Sequence, residues 1–293
     1  MTDAQTLTLE LGGKWHGHYG SASCPVCQPD HRRDQDALTL ADAPDSRLLA
    51  HCKKSGCSFR ELAAALGLTS GDFAKPDPLE AAKREAERKA EAAKKARQGQ
   101  AVWAEAQPIQ GTLAEAYLRG RGVTCVLPDT LRFHPACWHS SAQRLPALVA
   151  LVEGCDLPAV HRTWLRPNGC GKAAVDPPKA MLGSVAGGAV RLTTGTGPLV
   201  VAEGIETALR LACGLLRGPA QLWAALSTSG LRSLRLPAQP IALIIATDGD
   251  DPGRAAGNGL AERAAALGWQ VSLLPAPAGL DWNDCLTRKA VAS

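Results

Sequence analysis

Two apolar runs that each end abruptly in carboxylates limit the possible folds of this chain more than any other feature. Residues 199–202 (Leu-Val-Val-Ala) precede Glu203, and residues 244–247 (Ile-Ile-Ala-Thr) precede Asp248 and Asp250. A segment with helical spacing of apolar residues follows each run. Strands that alternate with helices predict a mostly parallel sheet covered on both faces. The fold class predicted for the C-terminal part is therefore α/β, with a Rossmann-like parallel sheet.

The position of these acidic residues predicts a ligand site. Open α/β sheets bind ligands at the carboxyl ends of their strands, and several carboxylates at one such edge suit a hard cation such as Mg²⁺ together with phosphates. A second interpretation is that the acids only cap the next helix. Asp251 before Pro252 fits that role, whereas Asp248 and Asp250 would crowd like charges that a cation relieves. The pattern therefore favours phosphodiester chemistry.

Composition places the chain among ordinary globular proteins. Its 293 residues suffice for two or three small domains, with 45% hydrophobic and 20% charged residues. The net charge of +4 permits a nucleic-acid partner without requiring one. No apolar run is long enough to span a membrane, and the polar residues 1–5 lack the pattern of a signal peptide. We therefore expect a cytoplasmic location, in which cysteines stay reduced.

Changes in residue pattern along the chain predict four parts. Segments near 147–152 and 160–165 have the residue pattern of a strand hairpin, and a closing helix is predicted over 282–289. The parts are a cysteine-containing domain at 1–75, a charged helical linker at 76–107, a basic α+β sub-domain at 108–196 and the α/β domain at 197–293.

Four of the ten cysteines have the spacing of a zinc site. Cys24 and Cys27 are separated by two residues, and Cys52 and Cys57, which follow after 24 residues, are separated by four. Two close pairs at this distance suit tetrahedral Zn²⁺. The metal would supply much of the folding free energy of a unit with few large apolar residues. The alternative is two unrelated pairs of reduced cysteines; we predict a zinc ribbon with these four ligands.

Basic residues stand beside the predicted zinc ligands. Lys53 and Lys54 lie between the last two cysteines, and aromatic residues occur at 15–19. Basic residues interleaved with aromatic ones suit contact with single-stranded nucleic acid. The alternative is a solvated surface, since aspartates at 30, 34 and 36 dilute the positive charge.

The acidic pattern resembles that of the Toprim domain, which is shared by bacterial-type primases, type IA and type II topoisomerases and some nucleases. Glu203 with its following glycine, and then Asp248 and Asp250 some 45 residues later, carry the resemblance, which extends over residues 197–290. Further segments resemble Toprim proteins of mobile elements such as phages and plasmids, in which a zinc ribbon precedes a primase core. These segments lie at 117–122, 131–135, 160–165 and 204–208.

The resemblance implies roles for the acidic residues. Glu203 would act as general acid or base in nucleotidyl transfer, and Asp248 and Asp250, with Glu203, would hold Mg²⁺ or Mn²⁺. Most Toprim sequences have an aspartate a few residues after Glu-Gly. Glu206 and Thr207 stand in that place here, which is a departure from the family pattern.

The resemblance also implies basic residues opposite the metal site. Primase cores of this kind place a basic sub-domain before the Toprim sheet, and the candidates for binding template and nucleotide are Arg162, Lys172, Lys179 and Arg191. Arg162 is the strongest candidate, because an unpaired charge within a strand-like segment is unusual. The alternative for these residues is an ordinary exposed strand face.

The function implied by the resemblance is that of a DNA primase. Such an enzyme makes short RNA primers on single-stranded DNA from ribonucleoside triphosphates, and a separate replicative helicase would be its partner because the chain contains no helicase motif. One alternative is a Toprim nuclease that cleaves DNA with the same carboxylates. Another is a non-catalytic accessory protein of replication that binds single-stranded DNA.

Overall fold

The computed structural model describes residues 3–30, 35–43, 47–68, 78–216, 218–282 and 285–286. The chain divides into two compact units, Met1–Ala90 and Glu91–Ser293. The fold is mixed α/β. None of the helices within the described ranges has the length and apolarity needed to cross a membrane.

The first unit is a small antiparallel sheet with two short helices. The four strands pair in chain order, and Leu38, Leu40 and Leu62 are fully buried in its core beside two cysteines. Ser58 begins the second helix with a capping box, in which the Ser58 and Glu61 side chains bond to each other's backbone N–H. The elements are α1 (Ala4–Glu10), β1 (Lys14–Trp15), β2 (Gly20–Ala22), β3 (Leu38–Asp42), β4 (Leu48–Cys52) and α2 (Phe59–Ala65).

A long charged helix follows, α3 (Pro78–Glu105). Its side chains form i,i+4 ion pairs such as Glu91–Lys95, with 3.7 Å between nitrogen and oxygen. Near its C-terminal end, Val102 and Trp103 pack against a buried cluster that contains Val149. These contacts attach the C-terminal end of the helix to the following sheet.

The middle part is a five-stranded antiparallel sheet whose strands pair in chain order. The predicted hairpin is present, with Val149 of the third strand opposite Arg162 of the fourth. One face of the sheet packs against the α3 end, and the other joins a larger core described below. The elements are β5 (Gln107–Pro108), α4 (Leu113–Gly120), β6 (Leu131–His139), β7 (Gln143–Val152), β8 (Ala159–Trp164) and β9 (Lys179–Leu182).

The last part is the predicted mostly parallel sheet. Its strand order is β10-β12-β11-β13-β14; the last four in this order are parallel, and β10 is an antiparallel edge strand. Of the closing helix predicted over 282–289, residues 283–284 and 287–289 lie outside the described residues. The elements are β10 (Val190–Arg191), β11 (Leu199–Ala202), α5 (Ile205–Gly214), β12 (Gln221–Ala224), α6 (Thr228–Ser233), β13 (Ala242–Thr247), α7 (Asp251–Ala266) and β14 (Gln270–Pro275).

The two faces of this parallel sheet bury different partners. Val200 and Ala202 of β11 share one core with Leu209 of α5 and Leu148 of the middle sheet, whereas Val201 faces the core under α6 and α7. All four residues of β11 are fully buried. The middle sheet and the parallel sheet therefore share a continuous core, which holds the residues at their junction in fixed positions.

Candidate functional sites

Glu203 and Asp248 lie together at one edge of the parallel sheet. Glu203 directly follows β11 and Asp248 directly follows β13, and these strands are parallel neighbours with Ala202 opposite Ala246. The carboxyl ends of parallel neighbours meet at the same edge. The backbone N–H of Asp248 donates to Glu203 Oε1 at 3.4 Å. The fold thus unites two acidic residues that are 45 positions apart.

Asp250 joins this edge as the cap of α7. Its Oδ1 accepts the backbone N–H of Gly253 at 2.8 Å, and its own backbone is extended as expected for an N-cap. The sequence pattern had favoured Asp251 as this cap, which is wrong. Asp251 is the first helical residue; its side chain is 96% exposed and pairs with Arg254.

The absence of a side chain at Gly253 is what lets the acidic groups converge. A methyl group there would lie 2.7 Å from Glu203 Oε1, 2.8 Å from Asp250 Oδ1 and 3.0 Å from the Asp248 carbonyl oxygen. The first two separations are shorter than normal carbon–oxygen contacts, and the third is at their lower limit. Both carboxylates therefore occupy the space above the first turn of α7.

The electrostatics of this edge disfavour a further negative charge. Burial raises the pKa of Glu203, and the charges of Asp248 and Asp250 raise it further, while Lys179 opposes the rise. Like charges at this separation are relieved by a cation or by a proton. Among the side chains that the structure describes, however, the four cysteines are the only group of three or more potential metal ligands that lie close enough together to share one ion.

A family model for the Toprim domain matches residues 198–292. This part of the chain is a Toprim domain. The match covers β11 to β14 and therefore the whole acidic edge. Residues 93–192 match a second family, a domain of unknown function called DUF7146, which covers the end of α3 and the middle sheet.

Solved structures similar to the chain include three from primases. A DNA primase domain from Pseudomonas aeruginosa is 18% identical over 67% of this chain and 75% of its own, with a TM-score of 0.39. The Aquifex aeolicus primase (zinc-binding and RNA polymerase domains) is 13% identical over 98% and 83%, with a TM-score of 0.39. The primase fragment of the bacteriophage T7 primase-helicase protein is 14% identical over 93% and 96%, with a TM-score of 0.36. No curated protein matches the chain significantly.

A buried polar cluster near the acidic edge formed by Glu203, Asp248 and Asp250 was not predicted from the sequence. Glu206, in the first turn of α5, has a side chain that is only 16% exposed. The Tyr117 hydroxyl donates to Glu206 Oε1 at 2.6 Å, and Lys172 Nζ lies 3.5 Å from the same oxygen. Burial raises the pKa of Glu206, but the charge of Lys172 and the hydrogen bond from Tyr117 outweigh this effect and lower the pKa to about 2. Glu206 is therefore a charged group shared between the middle sheet and the Toprim domain.

His161 belongs to the surroundings of the same carboxylate. It lies on β8 and is 6% exposed. Burial lowers its pKa to about 4, against the attraction of Glu206, and the charges of Lys179 and Lys172 lower it as well. His161 is thus neutral near pH 7. The signal that could have identified this cluster is the occurrence of Tyr117 and His161 at inward positions of otherwise apolar segments.

The structure separates the four basic candidates of the middle part. Lys172 Nζ lies 3.5 Å from Glu206 Oε1, whereas Lys179 acts on Glu203 through its charge, which lowers the pKa of that carboxyl. Arg162 lies on the opposite face of the strand from His161, because successive side chains of a strand alternate. Its guanidinium stacks 4.9 Å from the Trp164 ring and donates to the Trp138 carbonyl oxygen.

Arg191 of the edge strand β10 is held against an aromatic ring. Its guanidinium carbon lies 4.8 Å from the centroid of Trp223, which is its partner in the antiparallel pair. Such a cation–π contact stabilises the packing of an arginine independently of any ligand. Substrate binding by all four candidates stays a prediction; among the described residues, Lys172 is the one candidate that forms an ion pair with an acidic side chain.

The four predicted cysteines form one cluster in the first unit. Their sulfur atoms all lie within 4.8 Å of one another. Cys24 and Cys57 sulfurs are 3.9 Å apart, and those of Cys27 and Cys52 are 3.5 Å apart. Four sulfurs around a tetrahedral Zn²⁺ at about 2.3 Å would be separated by about 3.8 Å. The donor set and its spacing therefore fit zinc, and the cluster has the arrangement of a zinc ribbon.

The turn between Cys52 and Cys57 prepares the cluster for a cation. The backbone N–H of Ser55 donates to Cys52 Sγ at 3.5 Å. Burial opposes ionisation of Cys52, but this donor and the other N–H groups of the turn lower its pKa to about 6. Lys53 and Lys54 occupy the same turn and are exposed. The structure brings no acidic residue within ion-pair distance of either lysine among the described residues.

Proposed function

We propose that the chain is a DNA primase that makes short RNA primers on single-stranded DNA by metal-dependent nucleotidyl transfer. The observation that carries the proposal is the convergence of the Glu203 and Asp250 carboxylates above Gly253, with Asp248 alongside. The match of residues 198–292 to the Toprim family supports it. Phosphodiester chemistry at such an edge requires charge neutralisation and proton transfer, and the acidic groups suit both.

Glu203, Asp248 and Asp250 are the residues we assign to Mg²⁺ or Mn²⁺. Their oxygens are the hard donors these ions prefer, and an open set suits Mg²⁺, which keeps several waters and substrate phosphate oxygens as ligands. The ion would supply charge neutralisation at the transferring phosphate and activation of the attacking 3′-hydroxyl. In this proposal Glu203 also receives or returns the proton, since its raised pKa brings it closer to the working pH.

Lys172 and Lys179 are the residues we assign to the triphosphate of the incoming ribonucleotide. Both lie on the middle-sheet side of the acidic edge, where their charges already interact with Glu206, Glu203 or His161. A lysine ammonium binds phosphate as a point charge. Glu206 and the Tyr117 hydroxyl would orient Lys172, so that the ammonium is positioned before substrate arrives.

The first unit is assigned to the template in this proposal. A zinc-stabilised ribbon with the exposed Lys53 and Lys54 suits contact with the phosphates of single-stranded DNA. A separate replicative helicase would supply the unwound template, and the reaction would take place in the cytoplasm, where nucleotides and DNA are available. Each of these partners follows from the proposed reaction and stands or falls with it.

The decisive experiment is ribonucleotide incorporation on single-stranded DNA with Mg²⁺ or Mn²⁺. The wild-type chain is expected to produce short RNA, and Glu203→Gln, Asp248→Asn and Asp250→Asn are expected to lose at least about a hundredfold in rate. Asp251→Asn is the matched control, because that carboxylate is 96% exposed on the same helix and, among the described residues, has Arg254 as its ion-pair partner. It is expected to keep wild-type synthesis.

The same assay separates the alternatives. Cleavage of the DNA template without incorporation, lost in the same three variants, would replace the primase assignment with that of a nuclease. Template binding without any turnover, unchanged in Asp248→Asn, would identify a non-catalytic accessory protein. Either result would overturn the proposed function.

A further inference from the structure

Two cysteines outside the zinc cluster are brought together by the fold. Cys125 lies in the segment that follows α4, and Cys213 lies near the end of α5, 88 positions later in the chain. Both are partly exposed. The sulfur of Cys213 lies 3.2 Å from the backbone nitrogen of Cys125.

The backbone around Cys125 is directed at the sulfur of Cys213. The N–H groups of Thr124 and of Cys125 itself both donate to Cys213 Sγ, each at 3.2 Å. Two N–H donors on one sulfur stabilise the thiolate, as donors at helix N-termini do for reactive cysteines. Burial works against ionisation, but these donors lower the pKa of Cys213, whereas burial and the neighbouring sulfur raise the pKa of Cys125 to about 11.

The backbone positions are compatible with a disulfide. A sulfur of Cys213 that lies 3.2 Å from the Cys125 nitrogen limits the separation of the two Cα atoms to about 7.5 Å or less, which includes the range of about 4.4–6.8 Å found in disulfides. Cys125 Sγ also lies 4.0 Å from the Leu209 carbonyl oxygen, one helical turn before Cys213. The Arg210 guanidinium additionally bonds the Gly122 carbonyl oxygen. These contacts hold residues 122–125 against α5.

We propose that Cys125 and Cys213 are a redox-reactive pair that a peroxide converts into an intramolecular disulfide. The Cys213 thiolate attacks one peroxide oxygen, the O–O bond breaks, and the departing hydroxide takes up a proton to become water while Cys213 becomes a sulfenic acid. The Cys125 thiolate, formed as its thiol gives up a proton, then attacks the Cys213 sulfur. Its S–O bond breaks and a second water leaves. Two thiols are oxidised and one peroxide is reduced.

The disulfide would connect the middle part to the Toprim domain covalently. Cys125 follows α4, and Cys213 lies on α5, the helix that begins two residues after Glu203. The disulfide would join the segment after α4, the helix that contains Tyr117, to α5, the helix that contains Glu206. This inference does not depend on the proposed primase activity, because the thiol chemistry needs only the two cysteines and the oxidant.

The test uses the full zinc-loaded chain and hydrogen peroxide at a low molar excess. After trypsin digestion without reductant, the peptides 122–132 and 211–217 are expected to appear as one cross-linked species, lighter by two hydrogen atoms and separated by dithiothreitol. Cys170→Ser is the matched control, because Cys170 is exposed and its hydrogen bonds to described residues are with Asn168 of the same turn. It is expected to form the same cross-link.

Two single variants assign the order of the steps. Cys125→Ser is expected to trap a sulfenic acid on peptide 211–217 that reacts with dimedone, and Cys213→Ser is expected to show no cross-link and no trapped sulfenic acid on peptide 122–132. A far-UV spectrum of each variant checks that it is folded. The proposal is overturned if peroxide leaves both peptides unlinked in the wild type while it oxidises Cys170. It is overturned equally if the cross-link joins other cysteines.

Discussion

Replacement of the buried carboxylate Glu206 by its amide is the perturbation that tests the polar cluster most directly. Glu206→Gln keeps the shape of the side chain and an oxygen that accepts from the Tyr117 hydroxyl, which is 2.6 Å away. It removes only the negative charge. Lys172, whose side chain is 34% exposed and whose Nζ lies 3.5 Å from that oxygen, then lacks its counter-charge.

The size of the effect follows from the pKa of Glu206. Its ordinary value is 4.5 and in the folded chain it is about 2, so the interactions of the charged form stabilise the fold by about 3 kcal/mol at neutral pH. Screening of the partly exposed Lys172 reduces the expected loss to about 2–3 kcal/mol, near the lower end for removal of one partner of a buried pair. For a unit of this size the melting temperature should fall by about 4–12 °C.

The assay is urea unfolding followed by tryptophan fluorescence at pH 7 and at lower pH. A carboxylate with a lowered folded-state pKa stabilises the fold fully above its unfolded value of 4.5 and loses that contribution as pH falls towards 2. The difference between wild type and Glu206→Gln is therefore expected to shrink over this interval. Glu262→Gln, an exposed glutamate on α7, is the control and should match wild type throughout. A Glu206→Gln curve that coincides with the control, or a difference that does not change with pH, would refute the reasoning.

Three further outcomes are expected. Gly253→Ala should lower the rate of primer synthesis by about tenfold or more, because its methyl group would lie 2.7 Å from Glu203 Oε1. Gly259→Ala on the same helix is the control; its methyl group meets nothing within 4 Å and should be neutral. Equal rates for the two variants would contradict this prediction. Glu203→Gln should raise the melting temperature at pH 7 while it abolishes synthesis. Burial and the neighbouring carboxylates raise the pKa of Glu203, so the charged side chain destabilises the fold above that pKa. A lower melting temperature for Glu203→Gln would count against this reasoning. Cys27→Ser, or a strong chelator, should release zinc and unfold the four-stranded first unit, at a cost on the order of 10 kcal/mol; metal analysis and circular dichroism measure both, and an unchanged spectrum would exclude a structural metal.

The extent to which the sequence predicts the fold depends on the range of the interactions concerned. The strands β11 and β13 were predicted closely, because an apolar run followed by carboxylates is a local pattern that a buried parallel strand requires. The spacing of the four cysteines was sufficient for the same reason, since a tetrahedral metal constrains ligands that are close in sequence. By contrast, the choice between Asp250 and Asp251 as helix cap depended on a shift of one residue, which periodicity does not resolve.

The residue patterns of the chain thus determined which segments are strands, which acidic residues end them and which cysteines converge. Only the tertiary structure decided that Glu206 meets Tyr117 across 89 positions and that Cys213 meets Cys125 across 88. It also decided that Arg162 stacks on Trp164 on the face of its strand opposite His161. The physical reason is that a side chain's charge partners come from distant segments. Their identity depends on strand register and on which face is buried, and a shift of one residue reverses both.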